Sequence, residues 1–324
     1  MRERKRIAVL GGGTGTFTVL NGLKHHPVDI SAVVSIADSG GSTGVLRDEL
    51  GVLPPGDVRQ ALTALAEGDD ILRSLFTYRF QEGSLAGHNF GNLFLSVLEK
   101  VTGDPLAAIS EAHRILKVHG RVIPVSAQSA ELNARLIDGT VLAREHIIDQ
   151  ATNTKAINRC FLTPEAEANP EALAAIEAAD TVIIGPGDLY TSLVPVLLVK
   201  GITSALTRRR GRTAYVLNLT TKPGLTQNFK ASDFVHTLSE YLAPAMLDAV
   251  IVNNQRPHPA LLEKYRTAGE ELVEDDLSRH SSAWKKITAS LLSHRSATTV
   301  PGDQLHRSLL RHDSAKLASA ILKV

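Results

Sequence analysis

A carboxylate, Asp38, stands at the head of a run of glycines and hydroxyls in ADSGGSTG (37–44). Core packing does not ask for such a run, but phosphate binding does, because main-chain N–H groups without bulky side chains form a concave donor set for an anion. GGGTG (11–15) has the same character, follows the apolar IAVL and leads into a helical pattern. Gly12, Gly13, Thr14 and Gly15 would bring backbone donors and a helix N-terminus to a phosphate, and Gly41, Ser42 and Thr43 would form a second nest. Asp38 could hold Mg²⁺ against phosphate oxygens, with Asp57 of PPGD (54–57) as a second ligand, since a hard cation prefers carboxylate oxygen. GHNFGN (87–92) adds Asn89 and Asn92, whose amides suit a base, sugar or phosphate, and His88, which can pair with phosphate or move a proton. Asp38 and His88 are therefore the candidate catalytic groups.

Each motif has a plainer use as well. GGGTG can be a tight turn, while Asp38 and Asn89 can simply cap a turn or helix. A dinucleotide fingerprint needs glycine at position 16 and finds Thr16, and no lysine follows the glycines as a Walker A loop requires. GGSTG (40–44) also fits G-x-S-x-G, which would make Ser42 a hydrolase nucleophile with one of the histidines as base. That reading lacks an HGGG-type oxyanion loop and leaves the other glycine loops unexplained. The remaining histidines show no metal spacing, and no zinc, haem or flavin is expected.

The elements that must position these residues alternate. Buried strands are expected at 7–12, 30–38, 181–187, 213–221 and 248–254. Helices are expected over 16–23, and after PPGD with Asp57 as cap and Val58, Leu62 and Leu65 inward. Another should follow GHNFGN with Leu93, Phe94, Val97, Leu98 and Val101 on its apolar side. Asp104-Pro105 and Asn169-Pro170 open two more, and Gly211 is placed as a C-cap after TRRR. Alternating apolar residues in 121–149 predict an antiparallel hairpin that 157–163 extends. The expected architecture is α/β: a Rossmann-like, doubly wound, mostly parallel sheet with a small β-rich insertion at about 121–163, in one domain spanning 1–324. Ligands of such sheets sit beyond the carboxyl ends of the strands. Four strands end in GGGTG, ADSGGSTG, GPGDLYTS (185–192) and NLTTKPG (218–224), so Gly187, Tyr190, Thr191 and Asn218 join the ligand candidates.

With 35 Lys+Arg against 34 Asp+Glu, the charge balance gives no electrostatic case for nucleic acid or a membrane surface. No apolar stretch approaches the roughly 18 residues of a membrane span, and the apolar run after the basic N-terminus is too short for a signal peptide. The single cysteine, Cys160, forms no internal disulfide and fits a reducing cytoplasm. VPVLLVKGI (194–202) reads as core or as the interface of a homo-oligomer.

Taken together, IAVLGGGTGTFTVLNGL, ADSGGSTGVLRDELGVLPPGDVRQALTAL, FTYRF, AGHNFGNLFL, GPGDLYTSLVPVLLVKGI and RHDSAKLA resemble the gluconeogenesis-factor (YvcK-like) family, distant relatives of 2-phospho-L-lactate transferase, CofD. The resemblance runs from about residue 6 to the C-terminus. It implies a UDP-sugar ligand, UDP-N-acetylglucosamine in type, and a cytoplasmic role in growth on gluconeogenic carbon sources and in cell shape. Protein partners in cell-wall or carbon metabolism follow from the same resemblance. It also assigns ligand contacts to Tyr265 and Arg311, which suit stacking on a flat ring and bidentate binding of diphosphate. In the transferase branch it implies Mg²⁺ and a guanine nucleotide-linked substrate in the same crevice. Two readings of different class follow: a UDP-sugar-binding regulatory protein, or a Mg²⁺-dependent transferase of the phospholactate type. A pyridine-nucleotide oxidoreductase ranks below both because of Thr16 and the loop after Asp38.

Overall fold

The computed structural model describes residues 4–67, 70–151, 155–278, 283–293 and 310–324. Its strands are β1 (Lys5–Gly11), β2 (Val28–Val34), β3 (Arg121–Pro124), β4 (Glu131–Leu136), β5 (Val141–Ala143), β6 (Ile157–Thr163), β7 (Thr181–Ile184), β8 (Arg212–Val216), β9 (Ala249–Asn253) and β10 (Lys285–Ala289). Seven of them form one parallel sheet in the order β10-β9-β8-β7-β1-β2-β3. β4, β5 and β6 form a separate antiparallel sheet, so Arg121–Pro124 belongs to the large sheet and the antiparallel part starts at Glu131.

The apolar runs explain the large sheet. Its strands are covered on both faces, so successive side chains must both be apolar. Ile7 and Val9 enter one core layer, and Ala8 and Leu10 enter the other. β1 pairs with β2 on one side and β7 on the other, with Val9 opposite Ala32 and Ile183. From β1 the order runs outward in both directions, so the crevice of a doubly wound sheet falls between β1 and β7.

Four local expectations are corrected. β2 stops at Val34, and Ile36 and Ala37 remain buried beyond it, which carries Asp38 past the sheet edge. The helix Pro55–Leu65 buries Val58, Leu62 and Leu65 as expected, but Asp57 makes no cap to it. In the helix Phe90–Thr102 the inward face is Gly91, Asn92, Leu95 and Ser96, while Val97 and Val101 are 58% and 77% exposed. Gly211 caps nothing: the helix Ile202–Arg208 already ends in extended backbone at Arg209, and a Cβ on Gly211 would lie 2.2 Å from the Asp180 carbonyl oxygen. β10 has no counterpart among the expected strands. Its KKITA sequence carries edge lysines rather than a continuous apolar signal. VPVLLVKGI resolves toward core, with Val194, Val196, Leu197, Val199 and Ile202 all buried.

Candidate functional site

The four loops at the carboxyl edge meet. GGGTG touches the β7 loop so closely that a Cβ on Gly15 would lie 2.0 Å from the Pro186 carbonyl oxygen, which only glycine accommodates. Gly13 donates its N–H to Asp57 Oδ1 at 2.7 Å, tying the first loop to the helix Pro55–Leu65. A Cβ on Gly56 would sit 2.0 Å from Asp38 Oδ2, so that helix also reaches the β2 loop. Asn218, beyond β8, donates from Nδ2 to the Gly187 carbonyl at 2.8 Å and accepts from the Tyr215 hydroxyl at 2.9 Å.

Helix N-termini converge on this crevice. The helices Gly13–Leu23, Gly41–Leu50 and Pro55–Leu65 receive no side-chain cap from their N-cap residues Gly12, Gly40 and Pro54. Asn89, Asp104, Asn169 and Asp313 cap other helices through side-chain oxygens, while the helix Ile202–Arg208 also lacks such a cap. First-turn N–H groups at the crevice are therefore directed to partners outside their own caps, which is the arrangement that receives an anion.

Asp38 and Asp57 share the mouth of the crevice. Burial raises the Asp38 carboxyl above its usual range, partly relieved by the Gly40 N–H at 3.0 Å and the Thr43 hydroxyl. Burial, and then the charge of Asp38, pushes Asp57 up to about 7. Arg59 lowers both, a cation absent from the expected site. Its Nε donates to Asn92 Oδ1 at 2.8 Å, and Asn92 Nδ2 donates to Thr43 Oγ1 at 3.2 Å. GHNFGN thus packs on the second nest. Asn89 caps its helix through Asn92 N–H at 3.1 Å, and Ser42 Oγ lies 3.2 Å from the Asn89 N–H and 3.3 Å from His88 Nδ1. That pair has the outline of a nucleophile and base, but among the described residues no carboxylate orients the His88 ring as a triad requires.

A third wall comes from the insertion. After β5 the chain turns into the short helix Glu145–Asp149, over residues expected to be strand. Ser39 Oγ accepts the His146 N–H at 3.1 Å and contacts His146 Nδ1 at 2.9 Å. Burial, and then the charges of Asp38 and Asp149, pushes Glu145 up to about 9. At the helix's far end Asp149 pairs with Lys222 and accepts from Thr191 Oγ1 at 3.2 Å, while Lys222 Nζ also meets Asp188 at 2.8 Å. Burial alone would lower the Lys222 ammonium, but Asp188 and Asp149 outweigh it and hold it above its ordinary value. Lys222 and Asp188 lie within the edge loops NLTTKPG and GPGDLYTS, each within two residues of a glycine, so a charged residue in a glycine-bearing loop is a usable signal. Glu145, His146 and Asp149 gave none, because their setting depends on a fold-back from a second sheet.

Two candidates lie differently from the rest. Tyr190 is 5% exposed and packs into the core, its hydroxyl bonded to Thr237. Tyr265 is 7% exposed and forms a satellite cluster with Leu292 and Leu310, against Leu219 of the β8 loop. Its hydroxyl accepts the Leu310 N–H at 2.5 Å. Arg311 follows directly, its carbonyl accepting from Ser293 at 2.9 Å. The C-terminal segment is thereby brought beside the fourth loop, with the Tyr265 ring enclosed by aliphatic side chains.

A family model described as 2-phospho-L-lactate transferase CofD matches residues 7–292. The chain is 36% identical to the gluconeogenesis factor of Bacillus subtilis over 99% of its own length and 98% of that protein. It is 37% identical to the gluconeogenesis factor of Halalkalibacterium halodurans, over 99% and 97%. Its fold is similar to the crystal structure of a UPF0052 family member from Bacillus halodurans, with a TM-score of 0.91 and 37% identity over 99% of this chain and 100% of that one.

Proposed function

This chain belongs to the 2-phospho-L-lactate transferase CofD family, and we propose that within it the protein is a UDP-sugar-binding regulator, a gluconeogenesis factor acting in the cytoplasm on growth and cell shape. The observation that carries the reading is the convergence of glycine loops and uncapped helix N-termini on one crevice at the β1/β7 switch point. A diphosphate would lie against the nests at Gly12–Gly15 and Gly41–Thr43. Arg311 would reach the ligand from the C-terminal segment, which Tyr265 anchors through Leu310.

The paired carboxylates fit a hard divalent cation. Asp38 raises Asp57, and a bound Mg²⁺ would relieve that repulsion. Among the described residues no cluster of three or more ligating side chains is formed, so phosphate oxygens and water would complete the shell. The ion would supply charge neutralisation of the diphosphate. Asp38 and Asp57 would hold it, and the nests would orient the phosphates.

Calorimetric titration with UDP-N-acetylglucosamine, GDP and NADPH, with and without Mg²⁺, tests the reading. Tightest binding is expected for the UDP-sugar, with affinity lost in Arg311→Ala and weakened in Tyr265→Phe. Absence of UDP-sugar binding overturns the proposal. Formation of a new phosphodiester during titration would favour the transferase reading, which the paired carboxylates and His88 also support.

A further inference from the structure

The helix Glu145–Asp149 is entered through Arg144, whose backbone sits at φ 75° and ψ 138°. A side chain is disfavoured at such a positive φ, and glycine would relieve it. An arginine kept there must be held by what its side chain touches. Arg144 Nη1 lies 2.9 Å from Asp48 Oδ2, and its Nε lies 3.3 Å from Glu131 Oε1. Asp48 belongs to the helix that begins at the second nest, and Glu131 begins β4 of the insertion. Arg47, from the same helix and almost fully buried, bonds Asp48 at 2.7 Å and Glu131 at 3.4 Å. Two arginines and two carboxylates therefore lock the insertion onto the helix Gly41–Leu50, one residue before the chain delivers Glu145 and His146 to Ser39.

The segment is pinned at its other end too. Asp149 joins Lys222 and Thr191, on the loops after β8 and β7. Arg144–Asp149 thus runs from the β2 side of the crevice to the β7/β8 side, across the switch point.

We propose that Arg144 is a positioning residue through which the insertion sets the shape of the Ser39–Thr43 nest, and that the strap it opens couples the two halves of the crevice. Bound ligand touches the nest, the nest rests on the strap through Ser39, and the strap holds Lys222. Loss of the Arg144 clamp would let Ser39 and its neighbouring amides open while the sheet stays intact.

The test uses the full chain and two readouts. Hydrogen exchange of the ligand-free protein is expected to accelerate at least tenfold at the Ser39–Gly44 amides in Arg144→Ala and Arg144→Gly. Protection in the helix Ser314–Ile321, whose Leu317, Ala318 and Ile321 pack in the core layer on the other face of the sheet, should be unchanged. Arg144→Lys, which keeps the charge, should lie between these variants and wild type. Calorimetry with UDP-N-acetylglucosamine should show at least tenfold weaker binding in the same order; this arm alone rests on the ligand reading above. If Arg144→Ala does not fold, the Asp48→Asn,Glu131→Gln double variant removes both carboxylate charges and carries the same expectations. Wild-type exchange at Ser39–Gly44 in a folded variant overturns the inference. Failure of the wild-type protein to bind the UDP-sugar overturns the ligand reading, and the exchange result still decides the strap.

Discussion

The loops at the tips of β1, β2 and β7 meet through main chain and glycine, whereas the strap from the insertion meets them through charged side chains. The contrast is between two kinds of tolerance. Where backbone approaches backbone, an added methyl has nowhere to go, since a packed interior relaxes only partly. Where ammonium and carboxylate meet at a half-open crevice, side chains can rotate and water can take up part of the charge. Substitutions in the two regions should therefore differ in both size and salt dependence.

Gly15→Ala gives the largest expected effect. The new Cβ would lie 2.0 Å from a carbonyl oxygen that cannot rotate away, so we expect a loss of about 3 kcal/mol or more in urea denaturation, or failure to fold. Gly41→Ala sharpens the point, because nothing lies within 4 Å and only its φ of 45° is unfavourable. Its cost should be about 1 kcal/mol. Equal losses in the two variants would remove close approach as the cause.

At the far end of the strap, Lys222→Met leaves Asp149 and Asp188 without their shared cation. All three side chains are partly reached by solvent, which holds the expected loss to about 2 kcal/mol. High salt should narrow the gap between variant and wild type, and a gap independent of salt would break the contrast with Gly15.

The pH response tests the carboxylates between the two regions. Asp57 has a raised folded-state pKa, near 7, so the folded protein binds a proton more tightly than the unfolded chain between about pH 4 and that value. Stability therefore falls as pH rises through this window and is flat for this group above it. Glu145 extends the decline toward about 9. In Asp57→Asn the fall from pH 5 to pH 8 should shrink by roughly 1–2 kcal/mol, solvent at the crevice mouth limiting the effect. Denaturation midpoints at the two pH values measure it; an unchanged slope would mean that neither burial nor the charge of Asp38 raises the Asp57 carboxyl.

This division also governs what the amino-acid order reveals. Continuous apolar runs and strand–glycine–helix junctions are local, so β1, β7, β8, β9 and the four edge loops were readable, as were the caps at Asp104 and Asn169. Asp57 and Gly211 read as caps because acids and glycines near helix ends usually serve there. Each instead answers a distant backbone, Gly13 and Asp180 respectively, which no local pattern encodes. The strap was hidden for the same reason. Arg144, Glu145 and Asp149 acquire their roles only when the antiparallel sheet folds back onto the helix Gly41–Leu50 and Lys222. Tyr265 is an intermediate case. Its spacing in a helix does not disclose that Leu219, Leu292 and Leu310 enclose it.

The smallest expected effect lies on the solvent-facing side of the helix Phe90–Thr102, opposite its contacts with the nest. Its apolar residues suggested an inward stripe through Val97 and Val101, but the helix turns instead to bury Asn92 and Ser96 beside Leu95. Asn92 fixes that rotation by bonding both Arg59 and Thr43, so the demands of the nest override the apolar pattern. Val97→Ser and Val101→Ser should accordingly change stability by no more than about 0.5 kcal/mol. Asn92→Leu, which improves the apolar pattern while removing the polar anchor, should lose more than either. Denaturation of the three variants at two protein concentrations checks this. A loss above about 1 kcal/mol at Val97 or Val101 that grows with concentration would mean another copy covers that face. A concentration-independent loss of that size would mean that the helix is rotated the other way, and that the amide's grip on the nest is weaker than its hydrogen bonds imply.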